Sequence, residues 1–562
     1  MLELSKDPQT AEKQMVGLIF YLTTFGHIDG EFDATEKGFI RDYVRRIVEH
    51  RFDTAMPGAA PELRVEIVDK FSAHFGEILE ATDREIRDLW TEPVAEGEDS
   101  AHFVRSRLKV RCFEIFRGFD TGGQERLFEA IEELLMADGV AHPEEVQFRA
   151  ELLDILDSDE RIATDAGGSG PMAVDVEAVT DVEGPGTDHP FFAPLERHYS
   201  VEPERIAKQL AADRALIASV RELLSQQRQL GKGALSGRKR VQDLAGKQPF
   251  LDGHVYVVAP DPAKTYELTV LGDLHGCYSC LKAALMQSRF LERVDAFERD
   301  PRGQPEPRLV LLGDYIDRGL FSYNGVLRAV MQVFAAAPRY VVMLRGNHEY
   351  YLEHKGEIYG GVRPAEAIDT MRPHAPRDVF RDYLALFEDL PNMLLFGQTL
   401  FVHAGIPRDS LLAERWKDLA SLNDPDIRFQ MLWSDPSTAD VIPSALQEQT
   451  ARFPFGRLQA RAFLERMGCN TLIRGHEKVE EGFRRVYDDG RILLCTLFSA
   501  GGDANDDLPL FSSYRFVTPT ALTVRWQAGR TKITPWVIDY KPYVDPERNA
   551  FYKTRSKIRH KA

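Results

Sequence analysis

The stretch Leu309-Val310-Leu311-Leu312-Gly313-Asp314-Tyr315-Ile316-Asp317-Arg318-Gly319 decides how this chain is read. Its apolar run is short enough for a buried strand, and it stops abruptly at a glycine followed by two carboxylates and a guanidinium. The same arrangement recurs on both sides. Upstream, Tyr266–Leu271 runs into Gly272-Asp273-Leu274-His275-Gly276. Downstream, Tyr340–Leu344 runs into Arg345-Gly346-Asn347-His348-Glu349, Thr399–Val402 into His403-Ala404-Gly405, and Thr471–Ile473 into Arg474-Gly475-His476-Glu477. Strands that end in polar loops bring those loops to one edge of a layered α/β domain, which is where such sheets bind ligands. The five loops are expected to share one cleft.

The side chains gathered there are carboxylates, imidazoles and one carboxamide. Such a set suits borderline or hard divalent cations rather than a thiolate site. Glycines flank nearly every candidate ligand and permit unusual backbone angles and close approach. Singly, each motif has an ordinary explanation: a turn, a helix cap, a satisfied buried histidine. Together, in order and each after a strand, they point to a metal site, and an aspartate able to bridge two ions is what a pair of cations about 3.5–4 Å apart requires.

These motifs resemble the phosphoprotein phosphatase branch of the calcineurin-like metallophosphoesterases. The resemblance runs from about Tyr266 to Ala500 and includes Leu432-Trp433-Ser434-Asp435-Pro436 and Thr496-Leu497-Phe498-Ser499-Ala500. It implies an α/β domain of two packed sheets flanked by helices, and two divalent metal ions, manganese, iron or zinc. Asp273 and His275 would hold one metal, Asp314 would bridge, and Asn347, His403 and His476 would hold the other. Arg318 would bind phosphate, and His348, oriented by Asp317, would protonate the leaving group. Asp435 and Glu349 would support from behind, Asp435 by positioning the phosphate-binding arginine.

Two segments depart from the family pattern. Its members usually carry a second phosphate-gripping arginine ahead of Phe-x-Phe-Gly; here that segment is Phe453-Pro454-Phe455-Gly456, with Gln449 at the matching place and Arg452 and Arg457 as substitutes. Where the family often continues Pro-Asn-Tyr, placing an aromatic ring over the site, this chain has Gly501-Gly502-Asp503-Ala504-Asn505-Asp506-Asp507. The motif set favours a serine/threonine protein phosphatase acting on a phosphorylated protein or a small phosphoester. A dinucleoside-polyphosphate hydrolase is the alternative, since His403-Ala404-Gly405 and Gly276-Cys277-Tyr278 also resemble that branch.

The rest of the chain frames this domain, expected over residues 251–540. With 562 residues, several domains are expected. Residues 1–156 read as all-helical, with Met15, Leu18, Ile19 and Leu22 on one face and Ile40, Tyr43, Val44 and Ile47 on another. Within them Asp29-Gly30 leads to Glu36 as Asp138-Gly139 leads to Glu145, an internal duplication. Asp33 and Glu36 read as a capping box and Pro143 as a first-turn proline. The paired D-G-x5-E hairpins also resemble the tellurite-resistance TerB family, which implies a cation-responsive module in a stress response, or a surface for a protein partner. Residues 157–190, acidic and rich in Gly and Pro, read as a flexible linker that could enter the cleft and inhibit. Residues 191–250 read as a helical connector and 541–562 as a basic tail.

A net charge of −18 argues against broad nucleic-acid binding. Five cysteines, an odd number, argue against a disulfide framework, and Cys277-x-x-Cys280 reads as two reduced thiols at a helix start. The opening residues lack a basic-then-apolar leader and no apolar run is long enough to span a bilayer, so a cytoplasmic protein is expected.

Overall fold

The computed structural model describes residues 4–28, 32–92, 94–135, 143–157, 173–184, 188–196 and 203–553. These divide into two compact units. The first takes residues 1–162 together with 437–454, and the second takes 163–436 and 455–562.

The first unit is helical: Pro8–Gly26, Ala34–Ala55, Pro61–Leu89, Ser100–Arg117, Thr121–Leu135 and Pro143–Asp157. Leu18, Ile19 and Leu22 are fully buried in one core with Ile40, Phe103, Phe116, Leu127 and Ile131. The capping box is present. Asp33 accepts from the amides of Thr35 and Glu36, and Glu36 accepts from the Asp33 amide at 3.0 Å. Pro143 opens its helix, where its missing N–H costs nothing. Asp29, Gly30, Asp138 and Gly139 lie outside the described residues.

The second unit is built on two sheets. One runs in the order 483–488, 493–497, 471–474, 399–402, 393–396, 255–258, 250–252. The other runs 174–176, 530–537, 520–527, 265–271, 306–311, 341–343, with Thr180–Asp181 also paired to 530–537. Side chains of the first sheet alternate between two cores, as the two-residue strand repeat requires. Tyr256, Leu394, Phe396, Phe401 and Ile473 face the same core as Leu268 and Val270 of the other sheet. Val255, Val257, Met393, Leu395 and Leu472 face the opposite way and are covered by Ala460, Phe463 and Leu464 of helix Arg457–Met467.

The tips of the sheets are tied together beside the first motif. Asp273 bridges to Phe498, and the Ser499 hydroxyl accepts from the Gly272 amide at 2.8 Å. Three parallel strands, 265–271, 306–311 and 341–343, deliver three of the five motifs to this edge, while 399–402 and 471–474, also parallel, deliver the other two.

Three expected boundaries change. Of the acidic linker, residues 158–172 lie outside the described residues, but Val174–Val176 and Thr180–Asp181 are edge strands parallel to 530–537. Val174, Val176 and Val182 pack on the core, a short alternating pattern hidden by the acids between them. The helical connector is part of the domain itself. Helix Pro203–Gly231 buries Leu210, Ile217, Val220 and Leu224 in the core, and its Asp213 grips Arg328 through two bonds of 2.6 Å. The basic tail begins as folded chain, with Phe551 fully buried and the Tyr552 hydroxyl on Asp507 at 2.5 Å.

Candidate metal centre

The motif loops converge. Donor atoms of His275, Asp314 and His348 lie within 4.8 Å of one another, as do those of Asp314, His403 and His476, so Asp314 is common to both groups. His275 Nε2 is 3.5 Å from one Asp314 oxygen and 3.8 Å from Asp273, and His403 Nε2 is 3.4 Å from the other Asp314 oxygen. Asn347 Oδ1 is 2.9 Å from His403 Nε2, and His403 Nε2 is 3.2 Å from His476 Nδ1. All these residues are buried.

The surrounding backbone orients the ligands. Nδ1 of His275 donates to the Ile316 carbonyl at 2.9 Å and Nδ1 of His403 to that of Leu312 at 3.1 Å, which leaves each Nε2 as the lone-pair donor facing inward. Glu349 accepts the amides of Asp314 and Tyr315, each at 2.8 Å, and of Gly346 at 3.0 Å, pinning the bridging loop. The His476 amide donates to both Asp273 oxygens, at 2.9 and 3.1 Å. His275, Asp314, Asp317, Arg318 and His476 have φ between 41° and 72°, and only Arg289, Lys355 and Ala528 join them as non-glycine residues of positive φ among those described. Holding non-glycine residues there costs about 1–3 kcal/mol each, strain that concentrates at ligand clamps.

The electrostatics show what the residues are fitted for. Burial pushes the Asp273 carboxyl up to about 7, although hydrogen bonding and Arg474 pull it down. Burial, then the neighbouring Asp273 and Glu349, pushes Asp314 well up, and burial, then nearby cationic partners, pushes His275 and His403 well down. Buried carboxylates beside neutral imidazoles are costly alone and favourable around cations. Oδ1 of Asn347 and Nε2 of His403, two lone-pair atoms 2.9 Å apart, are a further sign that the polar set is incomplete by itself. Oxygen and nitrogen donors in two groups sharing one aspartate fit a pair of divalent cations.

The groups expected to handle phosphate are arranged beside this set. His348 Nδ1 is bonded to Asp317 at 2.6 Å, and the other Asp317 oxygen accepts from the Ala367 amide at 2.7 Å. Burial raises the Asp317 carboxyl to about 6 against that amide and Arg318. Arg318 Nη1 pairs with Glu366 at 2.5 Å, while its Nη2 is buried without a hydrogen-bond partner. Asp435 holds Arg474 at 2.7 Å and stands 3.8 Å from His476 Nε2, so the arginine it positions is that of the last motif rather than Arg318.

Arg452 belongs to the helical unit, where it is buried and paired with Glu92 at 2.8 Å. Arg457 is paired with Asp489. The segment Gly501–Asp507 is anchored by buried side chains. Asn505 and Asp507 are fully buried; Asp507 accepts from the Ser279 amide at 2.6 Å, and Asn505 donates to Cys277 and Cys280 Sγ at 3.0 and 3.3 Å. Those two free thiols face each other at 3.4 Å. The aromatic ring beside the site is Tyr514, 5.4 Å from the His275 ring and 5.2 Å from Phe498. Its signal in the sequence was the aromatic run Phe511, Tyr514, Phe516 in a loop without a hydrophobic period.

Residues 266–480 match the model of the calcineurin-like phosphoesterase family. A "Probable serine/threonine-protein phosphatase" of Encephalitozoon cuniculi is 26% identical over 260 residues, which cover 45% of this chain and 51% of that one. The serine/threonine-protein phosphatase 4 catalytic subunit of Eremothecium gossypii is 26% identical over 237 residues, 42% of this chain and 68% of that one. This chain thus spans about half the length of the first relative and about two thirds of the second. Among solved structures, a serine/threonine phosphatase from Saccharomyces cerevisiae with similarity to human phosphatase PP5 aligns at a TM-score of 0.35 and 18% identity, covering 58% of this chain and 89% of that one.

Proposed function

We propose that the chain is a serine/threonine protein phosphatase that removes phosphoryl groups from phosphorylated proteins. The observation that carries this is the free Nη2 of Arg318 beside the His348–Asp317 pair and the two ligand groups that share Asp314. In this reading Asp273, His275 and Asp314 hold one divalent cation, and Asp314, Asn347, His403 and His476 hold the other. Two such cations, manganese, iron or zinc, supply the Lewis acidity that activates water and neutralises phosphoryl charge.

The chain's own residues do the rest. Arg318 receives a phosphoryl oxygen through Nη2 while Glu366 holds Nη1, so the guanidinium is oriented before substrate arrives. His348, its Nδ1 locked to Asp317, presents Nε2 to the leaving oxygen and gives it a proton, a contribution of about 10²–10⁴-fold. Glu349 and Asp435 keep the loops in place.

The test is turnover of phosphoserine and phosphothreonine peptides by protein loaded with manganese, beside diadenosine tetraphosphate, with Asp314→Asn as control. Peptide turnover is expected; exclusive action on the dinucleotide gives the site to a dinucleoside-polyphosphate hydrolase instead. Five free, buried cysteines suit a reducing cytoplasmic setting. Among the described residues no helix is long and apolar enough to cross a membrane. The repeated Asp-Gly motif supports the helical unit as a TerB-like, cation-responsive module that engages a protein partner. Calorimetric titration of divalent cations into the full chain should lose heat on Asp29→Ala and Asp138→Ala; unchanged heats would leave that unit a scaffold.

A further inference from the structure

In the unit that carries the metal ligands, large apolar side chains left in water gather in one place. Among its described residues Leu320, Leu510, Phe511 and Phe516 are exposed, against Val179, Leu230 and Tyr359 elsewhere in the unit. Leu510 is 72%, Phe511 94% and Phe516 77% exposed, so most of each side chain meets solvent. Scattered singly, such residues need no explanation; grouped around a site, they mark a contact surface. Leu320 follows Arg318 by two residues, and its amide donates to the Asp507 carbonyl at 2.8 Å, which brings it beside the loop that carries the other three. Phe516 is two residues and Phe511 three residues from Tyr514, whose ring is 5.4 Å from that of His275, itself 4.8 Å from that of His348. With consecutive Cα atoms about 3.8 Å apart, Phe516 and Phe511 begin within about 8 and 11 Å of Tyr514 respectively.

The loop is stapled from within. Arg515 turns its guanidinium inward, donating from Nε to the Pro509 carbonyl at 3.0 Å, from Nη1 to that of Asp503 at 2.9 Å and from Nη2 to that of Leu508 at 2.9 Å. Ser512 caps the turn Ser513–Phe516, its hydroxyl accepting from the Tyr514 amide at 3.3 Å, and its amide donates to the Pro509 carbonyl at 3.1 Å. On either side, Leu508 and Val517 are buried in the core. The guanidinium of the loop thus faces inward while a leucine and two phenylalanines face out, the reverse of what solvation alone would choose. A surface held in this way loses little freedom when something binds it.

We infer that Leu320, Leu510, Phe511 and Phe516 form a rim that takes a large apolar side chain of a phosphorylated protein, two or three residues from the phosphorylated serine or threonine. A segment whose phosphoryl group lies on Arg318 must run on past the residues beside Arg318 and Tyr514. An extended chain covers about 7–11 Å in two or three residues, the reach from Tyr514 to the two phenylalanines. Covering them removes apolar surface from water, the gain that selects such a segment. A small phosphoester is too short to touch the rim. The inference rests on the protein-phosphatase reading and adds which phosphorylated segments the site prefers.

The experiment uses full-length protein loaded with manganese and pairs of phosphothreonine peptides that differ at one position, phenylalanine or serine, placed two or three residues to either side of the phosphothreonine. In at least one pair the phenylalanine peptide is expected to be favoured about tenfold in kcat/KM, chiefly through KM. In Phe511→Ser with Phe516→Ser that preference should vanish while turnover of p-nitrophenyl phosphate stays that of the parent. Phe511→Leu with Phe516→Leu should keep most of it. Circular dichroism and the p-nitrophenyl phosphate rate show that the serine variant is folded. Equal kcat/KM within every pair, or a preference that survives the serine substitutions, would overturn the inference. So would sedimentation showing a parent dimer that the serine substitutions dissociate, with no peptide preference, which gives the rim to a second copy of the chain. Failure to turn over any phosphopeptide, with p-nitrophenyl phosphate still hydrolysed, would overturn the protein-phosphatase reading and the inference with it.

Discussion

The unit that carries the candidate metal ligands and the helical unit use buried charge in opposite ways. Around Asp314, carboxylates are packed against carboxylates and imidazoles against imidazoles, and burial pushes Asp273 up to about 7. In the helical unit the buried Asp83 is surrounded by His27 at 2.8 Å, Lys37 at 2.7 Å and Arg87 at 3.0 Å; burial alone would raise it, but the bonds from Arg87, Lys37 and His27 hold it at about 2. One cluster is complete without added ions and the other is not. A charge network that satisfies itself serves stability, whereas one left short of positive charge is arranged for a ligand.

This contrast predicts where each substitution will be felt. Asp314→Asn, which removes charge from both ligand groups, is expected to lower kcat by at least about 10³-fold and to reduce bound manganese while leaving the thermal midpoint near that of the parent; turnover of phosphopeptide and metal analysis check both. His348→Gln should lower kcat by about 10²-fold or more, and the loss should shrink for substrates with a good leaving group such as p-nitrophenyl phosphate. An equal loss on both substrates would remove His348 from the role of acid. Arg318→Lys keeps the charge but not the fork, and a loss of about 10–100-fold in kcat/KM is expected from steady-state kinetics.

The smallest effect belongs to the helical unit. Asp83→Asn should cost about 1–2 kcal/mol of its stability at neutral pH, discounted for the exposed Arg87 partner, with kcat unchanged. The carboxyl is depressed in the folded state, so its contribution is fully present above the unfolded value near 4 and is lost as pH falls through about 2. Denaturant melts of parent and variant should therefore differ at pH 7 and converge towards pH 2. A change in kcat at neutral pH would blur the contrast between the two clusters.

Much of the site was legible because its chemistry is local. Gly-Asp-x-His-Gly or Gly-Asn-His-Glu at the end of an apolar run declares both the ligand and the turn that presents it, and five such turns were enough to call the layered sheets. Glu349, expected behind the site only from the family resemblance, accepts the amides of Asp314, Tyr315 and Gly346. What was not legible depends on partners distant in the chain. Asp435 follows Trp433-Ser434 in sequence but finds Arg474; Tyr514 comes to His275 from a loop with no motif at all; and Val174–Val176 is a strand only because 530–537 offers it an edge.

Residues 437–454 mark the boundary most clearly. The sequence by itself determined the ligand types, their order and the glycines that allow their backbone angles, because those are properties of side chains and of a few adjacent bonds. Which unit Arg452 would join was decided only by tertiary structure. An arginine next to a phosphatase motif is equally able to meet a phosphate or a glutamate, and the burial of Ile442 and Leu446 among the helices carried it to Glu92. Hydrophobic burial is non-directional and summed over many residues, so no short motif records its outcome.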